Sequence, residues 1–124
     1  MAKVIQSLIV VFATISLAWA YPKKTLEVSL NTPSTGWSVR ISEVYLVRDE
    51  IWVIARLSST GFGGDAISRV KDIISVPVPD QPVKYYIIGK QWNWKNNESY
   101  VFVSNETELK KQIAKGKLIW TRHK

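Results

Sequence analysis

The sequence predicts a mainly β domain, either a small antiparallel β-sandwich or a partly open barrel, with one short helix near its C-terminus. The strongest evidence is a hairpin, in which Trp37, Val39 and Ile41 alternate with polar residues and a second alternating run follows at 51–58. Other strand patterns recur at near-regular spacing along the chain. The one helical pattern, at 106–115, comes after most of them.

Residues 1–20 have the pattern of a secretory signal peptide. A short basic start at 1–3 precedes an almost entirely apolar run at 4–17, and residues 18–20, Ala-Trp-Ala, have the small-x-small pattern of a signal peptidase cleavage site. The alternative is a retained membrane anchor, although the run is shorter than the roughly 20 residues that a bilayer core needs. We therefore expect residues 21–124 to form a single secreted or periplasmic domain.

The central hairpin is predicted to contain a β-bulge. The alternation of its first strand slips after Ile41, because Glu43 stands where an apolar residue is due and Val44 restarts the series. An extra residue near Ser42 and Glu43 would restore the register and add twist. The polar residues at 48–50 supply the turn between the two strands.

The elements on either side of the hairpin are predicted from the alternation of apolar and polar residues and from the positions of glycine and proline. Residues 25–30 alternate as a first strand, and 31–36 form a turn-rich loop before the hairpin. The glycine-rich stretch 58–65 is predicted to be an exposed loop, and 66–72 an irregular crossing or a short turn. Residues 73–79 are extended, and their two prolines predict either an edge strand or a strand that ends at Pro77.

The C-terminal part is predicted to contain strands and the helix. Strand patterns stand at 83–89, 99–103 and 117–121, and a polar-aromatic loop at 90–97. Asn105 can cap a helix, Glu108 follows three residues later, and Gly116 occupies the position just past the helix. Leu109 and Ile113 are spaced to share one face, so we expect them to hold the helix on a sheet.

The sequence lacks the motifs of a catalytic or metal-binding protein. It has no cysteine, which excludes a thiolate nucleophile and a thiolate zinc site. The one histidine, His123, lies beside the C-terminus, where side chains are seldom held rigidly. The acidic residues are scattered, and no Lys-Ser/Thr pair follows the glycines at 61–64. We therefore predict a protein that is not an enzyme and binds no metal or cofactor.

The chain is basic, with 17 lysines and arginines against 10 acidic residues. The densest cluster contains Lys110, Lys111, Lys115 and Lys117. We interpret it as a solvated face that aids solubility. The alternative is attraction to an acidic partner or to an anionic surface.

The tryptophans fall into two groups. Trp37 and Trp120 stand among apolar neighbours and are predicted to be core residues, whereas Trp52 should cover the second face of its strand. Trp92 and Trp94 stand in a polar loop. They either fold over one end of the core or form an exposed platform for a glycan or a protein. Nucleic acid is not expected as a partner, because the chain carries a secretion signal.

Residues 36–41, Gly-Trp-Ser-Val-Arg-Ile, lead into a second apolar strand, a glycine loop and an extended run that ends at Pro77. This order resembles the C-terminal domain of the protease complex inhibitor family (PrcB-like), whose first strand reads Gly-Tyr-Ser-Val-x-Ile. The resemblance covers residues 35–79, and Phe62 with two glycines replaces the proline-bearing loop usual in that family. It implies a domain that binds another protein.

Residues 31–37, Asn-Thr-Pro-Ser-Thr-Gly-Trp, and 61–64, Gly-Phe-Gly-Gly, form a second resemblance. They are similar to the Asn-Pro-Thr-Thr-Gly-aromatic and Gly-x-Gly-Gly loops of chagasin-type cysteine-protease inhibitors, with one residue inserted in the first. The third inhibitory loop of those proteins, an Arg-Pro-aromatic motif, is absent. The resemblance implies an immunoglobulin-like sandwich that blocks a protease with its loops.

We therefore predict a secreted or periplasmic, non-catalytic binding protein that acts through glycine loops carrying aromatic residues, as a protease inhibitor does. Its expected partner is another protein, and the resemblances imply a protease. One alternative is a carbohydrate or cell-wall binding module that uses Trp92 and Trp94, and another is an envelope structural protein without a ligand. The residues expected to contact a protein partner are Thr35, Gly36, Trp37, Gly61, Phe62, Gly63 and Gly64.

Overall fold

The structure, a computed structural model, describes residues 21–122. The predicted signal peptide and His123 lie outside the described residues. The elements in chain order are β1 (Lys23–Thr32), β2 (Trp37–Val47), β3 (Glu50–Ser59), β4 (Ser68–Pro77), β5 (Val83–Ile88), β6 (Val101–Val103), α1 (Glu106–Ile113) and β7 (Lys117–Thr121). The prediction of a mainly β fold with a single short helix near the C-terminus is confirmed.

The strands form two sheets, of which one contains β1 and β4 and the other has the order β6-β5-β3-β2-β7. The pairs β1–β4, β2–β3 and β2–β7 are antiparallel, but β5 lies parallel to both β3 and β6. The larger sheet is therefore mixed. The cause is the connectivity, because the chain leaves this sheet after β3, runs back along the smaller sheet as β4, and re-enters beside β3 at the end where β3 begins.

The β2–β3 hairpin contains the predicted bulge. The pairing register shifts between Ile41 and Glu43, which makes Ser42 the extra residue. The Ser42 hydroxyl donates a hydrogen bond to the Ile54 carbonyl at 3.1 Å. In the turn, Arg48 has a φ of 55°, the left-handed conformation that tight hairpin turns require.

The main core lies between the two sheets. Alternate residues of β1, β2 and β3 point inward and are almost completely buried. Trp37 and Trp120 pack against this core, as predicted. Its largest fully buried side chains are Leu26, Val28, Leu30, Ile41, Val44, Ile51, Val53, Val76, Val78 and Ile87.

A second, smaller core lies between α1 and the outer face of the larger sheet. Trp52 is 5% exposed and contacts Ile54 and Leu109 in this cluster, while Ile113 packs at its edge. The helix begins as predicted, because the Asn105 side chain accepts a hydrogen bond from the Glu108 backbone N–H at 3.2 Å. The last turn ends earlier than predicted, at Ile113.

The stretch predicted as an irregular crossing or a short turn is the first half of β4, which begins at Ser68. The prediction was wrong because Asp72 interrupts the inward-facing apolar series on this strand. The Asp72 carboxylate accepts hydrogen bonds from the Ile41 backbone N–H at 2.8 Å and from the Arg122 guanidinium at 2.7 Å. These bonds tie β4 to β2 near the bulge, so the carboxylate links the two sheets along one side of the sandwich.

The helix α1 is eight residues long. Within residues 21–122, no helix has the length and apolar character needed to cross a membrane.

Candidate functional site

Three connecting loops lie at the same end of the sandwich. β1, β3 and β5 end there and β2 and β4 begin there, as the pairings of Thr32 with Ser68 and of Trp37 with Ser59 require. The loops are 33–36, 60–67 and 89–100. The two glycine loops and the tryptophan loop that the sequence singled out therefore meet at one surface, which we call the loop end.

The two glycine loops are joined by hydrogen bonds. The Thr35 backbone N–H donates to the Gly64 carbonyl at 3.2 Å, and the Gly64 N–H donates to the Thr35 hydroxyl at 2.7 Å. The Thr60 backbone N–H donates to the Gly36 carbonyl at 3.0 Å. These bonds hold the loops in one arrangement, which lowers the entropy that a partner would have to remove on binding.

Close packing explains why glycine stands at two of the positions. A Cβ atom on Gly36 would collide with the Phe62 carbonyl, and a Cβ on Gly63 would lie 2.9 Å from the Gly36 Cα. Gly61 has a φ of +79°, where only glycine is unstrained, although nothing lies near its Cβ position. The glycine pattern therefore follows from two backbones in direct contact.

Phe62 projects from the joined loops. Its backbone is held at both ends by the Thr60 hydroxyl, which accepts from the Phe62 N–H at 3.1 Å and donates to the Phe62 carbonyl at 2.7 Å. Its side chain is 84% exposed, more than any other large apolar side chain at this end. A fixed backbone with an exposed aromatic ring is typical of an interface anchor.

Trp92 and Trp94 behave differently from one another. Trp92 packs against the main core and meets Trp37 edge to face at 5.2 Å between ring centroids. Its indole N–H donates to Asn96 at 2.8 Å. Trp94 is 38% exposed and stacks on Trp92 at 5.5 Å. The interpretation that both fold over the end of the core fits Trp92, whereas Trp94 leaves part of its ring in solvent.

Lys90 adds a positive charge beside these rings. Its Nζ lies 4.8 Å from the centre of the Phe102 ring and 5.7 Å from that of Trp92. Both distances are within the range of cation–π attraction. The lysine therefore covers part of the aromatic surface between the tryptophan loop and β6.

The tryptophan loop also covers the free edge of β1. The Ser29 N–H donates to the Tyr100 hydroxyl at 3.1 Å, the Asn31 N–H donates to Glu98 at 3.2 Å, and the Asn31 carbonyl accepts from Asn96 at 2.9 Å. Side chains of the tryptophan loop thus form hydrogen bonds with backbone groups at the β1 edge, to which another strand could otherwise pair. The covered edge anchors the loop that carries Trp92 and Trp94.

Glu98 is the carboxylate among the side chains that anchor the tryptophan loop to β1. Burial raises its pKa, but hydrogen bonds from its own backbone, from Asn96 and from Asn31, with the charge of Arg69, outweigh burial and hold the pKa below the ordinary 4.5. Since the folded state lowers this pKa, the charged carboxylate stabilises the fold above pH 4.5, and that stability is lost as the pH falls further.

Replacing Glu98 by glutamine is expected to cost about 1–2 kcal/mol at neutral pH, because one charged hydrogen-bond acceptor is lost. The variant should also show a shallower loss of stability than the wild type below pH 4.5. Urea unfolding across a pH series measures both effects. Glu27→Gln, at an exposed position in β1, is the control and should change stability by less than about 0.5 kcal/mol. Equal effects of the two substitutions would contradict the role of Glu98 in holding the tryptophan loop on β1.

Several residues of the loop end were not singled out from the sequence. Thr60, Asn96 and Glu98 hold the loops, yet each is an ordinary polar loop residue in the sequence. The hydroxyl of Thr60 two residues before Phe62 is a usable signal, since Ser and Thr commonly bond to a backbone N–H two residues on. No local pattern marks the contacts of Asn96 and Glu98 with β1, because the partners are more than 60 residues away.

Among residues 21–122, no group of three or more histidine, cysteine, aspartate or glutamate side chains is placed to hold a metal ion.

Comparison with known proteins gives no relative for this chain. No family model, no curated protein and no solved structure matches it. The resemblances to protease inhibitors therefore rest on the sequence motifs alone.

Proposed function

We propose that this chain is a secreted or periplasmic binding protein without catalytic activity, and that its loop end inserts into a groove of a protein partner. The partner class we propose is a protease, as the two sequence resemblances imply. Phe62 is the proposed anchor residue, and the glycine loops on either side of it supply backbone contacts.

The observation that carries the proposal is the combination of a highly exposed Phe62 side chain with a fixed Phe62 backbone. An exposed phenylalanine on a mobile loop would lose conformational freedom on binding. Here the Thr60 hydroxyl and the joined loops have already ordered the backbone. The loop therefore loses less conformational entropy when a partner binds.

The other exposed apolar residues of the loop end extend the proposed surface. Ile67 is 69% exposed on the same loop as Phe62, and Trp94 is 38% exposed on the tryptophan loop. Apolar side chains at a surface of this kind are typical of interface cores, and the charged residues Lys90 and Lys95 would belong to the rim.

The test is inhibition of a protease panel by purified residues 21–124. The panel contains papain-family cysteine proteases and serine proteases, each assayed with a peptide substrate. We expect inhibition of at least one panel member at a stoichiometric ratio, with the inhibitor uncleaved. Absence of both inhibition and complex formation on gel filtration across the panel would contradict a protease as the partner.

Glycan binding is the second candidate, and it is favoured by one observation: Trp94 exposes part of its ring while it packs against the Trp92 ring at 5.5 Å between centroids. Sugar rings stack on such surfaces. Titration of tryptophan fluorescence with cell-wall glycans should then show a saturable change that Trp94→Ala removes. An unchanged signal in the variant would exclude Trp94 as the platform.

A further inference from the structure

Unpaired basic side chains collect at the end of the sandwich opposite the loop end. We call this the basic end. Within residues 21–122, none of the six basic residues at this end forms an ion pair with a carboxylate. They are Lys23, Lys24, Arg48, Lys111, Lys115 and Lys117.

The strand pairings bring these residues to the same end of the sandwich. Lys23 pairs with Pro77 at the start of β1, Arg48 occupies the hairpin turn, and Lys117 pairs with Leu46 beside that turn. Lys115 and Arg48 line the same shallow cavity at the end of α1. The cluster is thus built from the beginning or the end of four separate elements.

The acidic residues of this end are fewer. Asp49 stands in the hairpin turn and Asp80 between β4 and β5, while Glu50 is already paired with Lys84 at 3.4 Å. An exposed surface with an excess of lysine carries a positive potential that attracts anionic partners.

The chain also enters the fold at this end. Tyr21 and Pro22 precede β1, whose first residue is Lys23, and the sequence before Tyr21 contains the apolar run at 4–17. Five residues separate this run from Lys23, and basic residues close to a membrane surface are attracted to anionic lipids. The basic residues and the entry of the chain into the fold thus lie at the same end of the domain.

We propose that the basic end docks on an anionic phospholipid membrane surface. The lysine ammonium groups would contact lipid phosphates, and the domain would stand on the membrane by its basic end. β1 is ten residues long, so its two ends are roughly 30 Å apart. Docking therefore holds the loop end well away from the lipid, whether residues 1–20 are retained or removed.

The test uses residues 21–124, because both cores and all the strand pairings described lie within residues 21–122. The protein is sedimented with vesicles of phosphatidylcholine alone or with about 30% phosphatidylglycerol. We expect binding to the anionic vesicles only, with a loss of binding as salt is raised, because exposed charges are screened.

The variant Lys111→Gln/Lys115→Gln/Lys117→Gln locates the binding surface. Each lysine near an anionic surface contributes about five-fold to partitioning, so the partition coefficient should fall by about 100-fold. The control, Arg40→Gln/Lys71→Gln/Lys95→Gln, removes the same charge from exposed positions away from the basic end. It should lower the coefficient by less than about five-fold. Circular dichroism establishes that both variants are folded.

Three outcomes would overturn the proposal. Equal binding to neutral and anionic vesicles would mean that charge does not drive docking. Equal losses in the two triple variants would mean that the net charge, and not the basic end, is responsible. Binding to heparin without binding to anionic vesicles would point to an acidic polymer as the partner in place of a membrane.

Discussion

Replacing Trp52 by alanine is expected to lower the free energy of unfolding by about 3–5 kcal/mol. The indole is 5% exposed and fills the space between β3 and α1, where it lies 4.5 Å from the Tyr86 ring and contacts Leu109. Its N–H also donates to Glu50 at 3.0 Å. Because domains of this size are stable by only about 5–15 kcal/mol, the loss is a large fraction of the total. Urea unfolding followed by circular dichroism measures it.

Trp94→Ala is the matched control for this prediction. It makes the same chemical change at a ring that is 38% exposed and stacks only on Trp92 among the aromatic side chains of residues 21–122. We expect a cost of about 1 kcal/mol or less. A Trp52→Ala cost no larger than that of Trp94→Ala would show that α1 is not held on the sheet by this second core.

Replacing Gly36 by alanine is expected to separate the two glycine loops. The new Cβ atom would collide with the Phe62 carbonyl, a backbone atom that cannot move without breaking the Thr60 bonds. Overpacking of this kind costs about 1–3 kcal/mol. Amide hydrogen exchange should report it as faster exchange of the Thr35 and Thr60 N–H groups, which lose their partners in the opposite loop.

Gly64→Ala is the control within the same pair of loops. A Cβ atom on Gly64 would lie 3.7 Å from the Thr35 hydroxyl, which is an ordinary contact, so exchange and stability should stay close to the wild type. If Gly36→Ala were tolerated as well as Gly64→Ala, the loops would not be packed backbone to backbone.

The hairpin and the helix could be predicted from the sequence because their signals are local. The slip in alternation at Glu43 was enough to predict the bulge, and Asn105 with Glu108 was enough to predict the helix start. Each feature depends on residues within a few positions of one another, and elementary geometry decides it.

The arrangement of the sheets could not be predicted in the same way. The parallel pairing of β5 with β3 follows from the position of β4 in the other sheet. No feature of the β5 sequence indicates which sheet β4 joins. Similarly, the first half of β4 could not be predicted, because the partners of the inward-facing Asp72, Ile41 and Arg122, are 31 and 50 residues away. A polar residue on an inward-facing position is uninformative until its distant partner is known.

The candidate site was predicted in part. The residues of the two glycine loops were chosen separately from two motifs, and the structure joins them through Thr35, Gly36 and Gly64. The supporting contacts were missed, since Asn96 and Glu98 are more than 60 residues away in sequence from their partner in β1. Which loops meet is a property of the topology, whereas which residues can form a tight loop is a property of the local sequence.

The most direct measurement of the proposed function is the inhibition constant of wild type, Phe62→Ala and Ile73→Ala against the protease that the panel identifies. Ile73 is 50% exposed on β4, away from the loop end, and serves as the control. If Phe62 anchors the complex, its removal should weaken inhibition by about 30-fold, as expected for an interface hot spot. Ile73→Ala should leave it within about two-fold of the wild type. Equal inhibition by all three proteins would contradict a partner bound through the loop end.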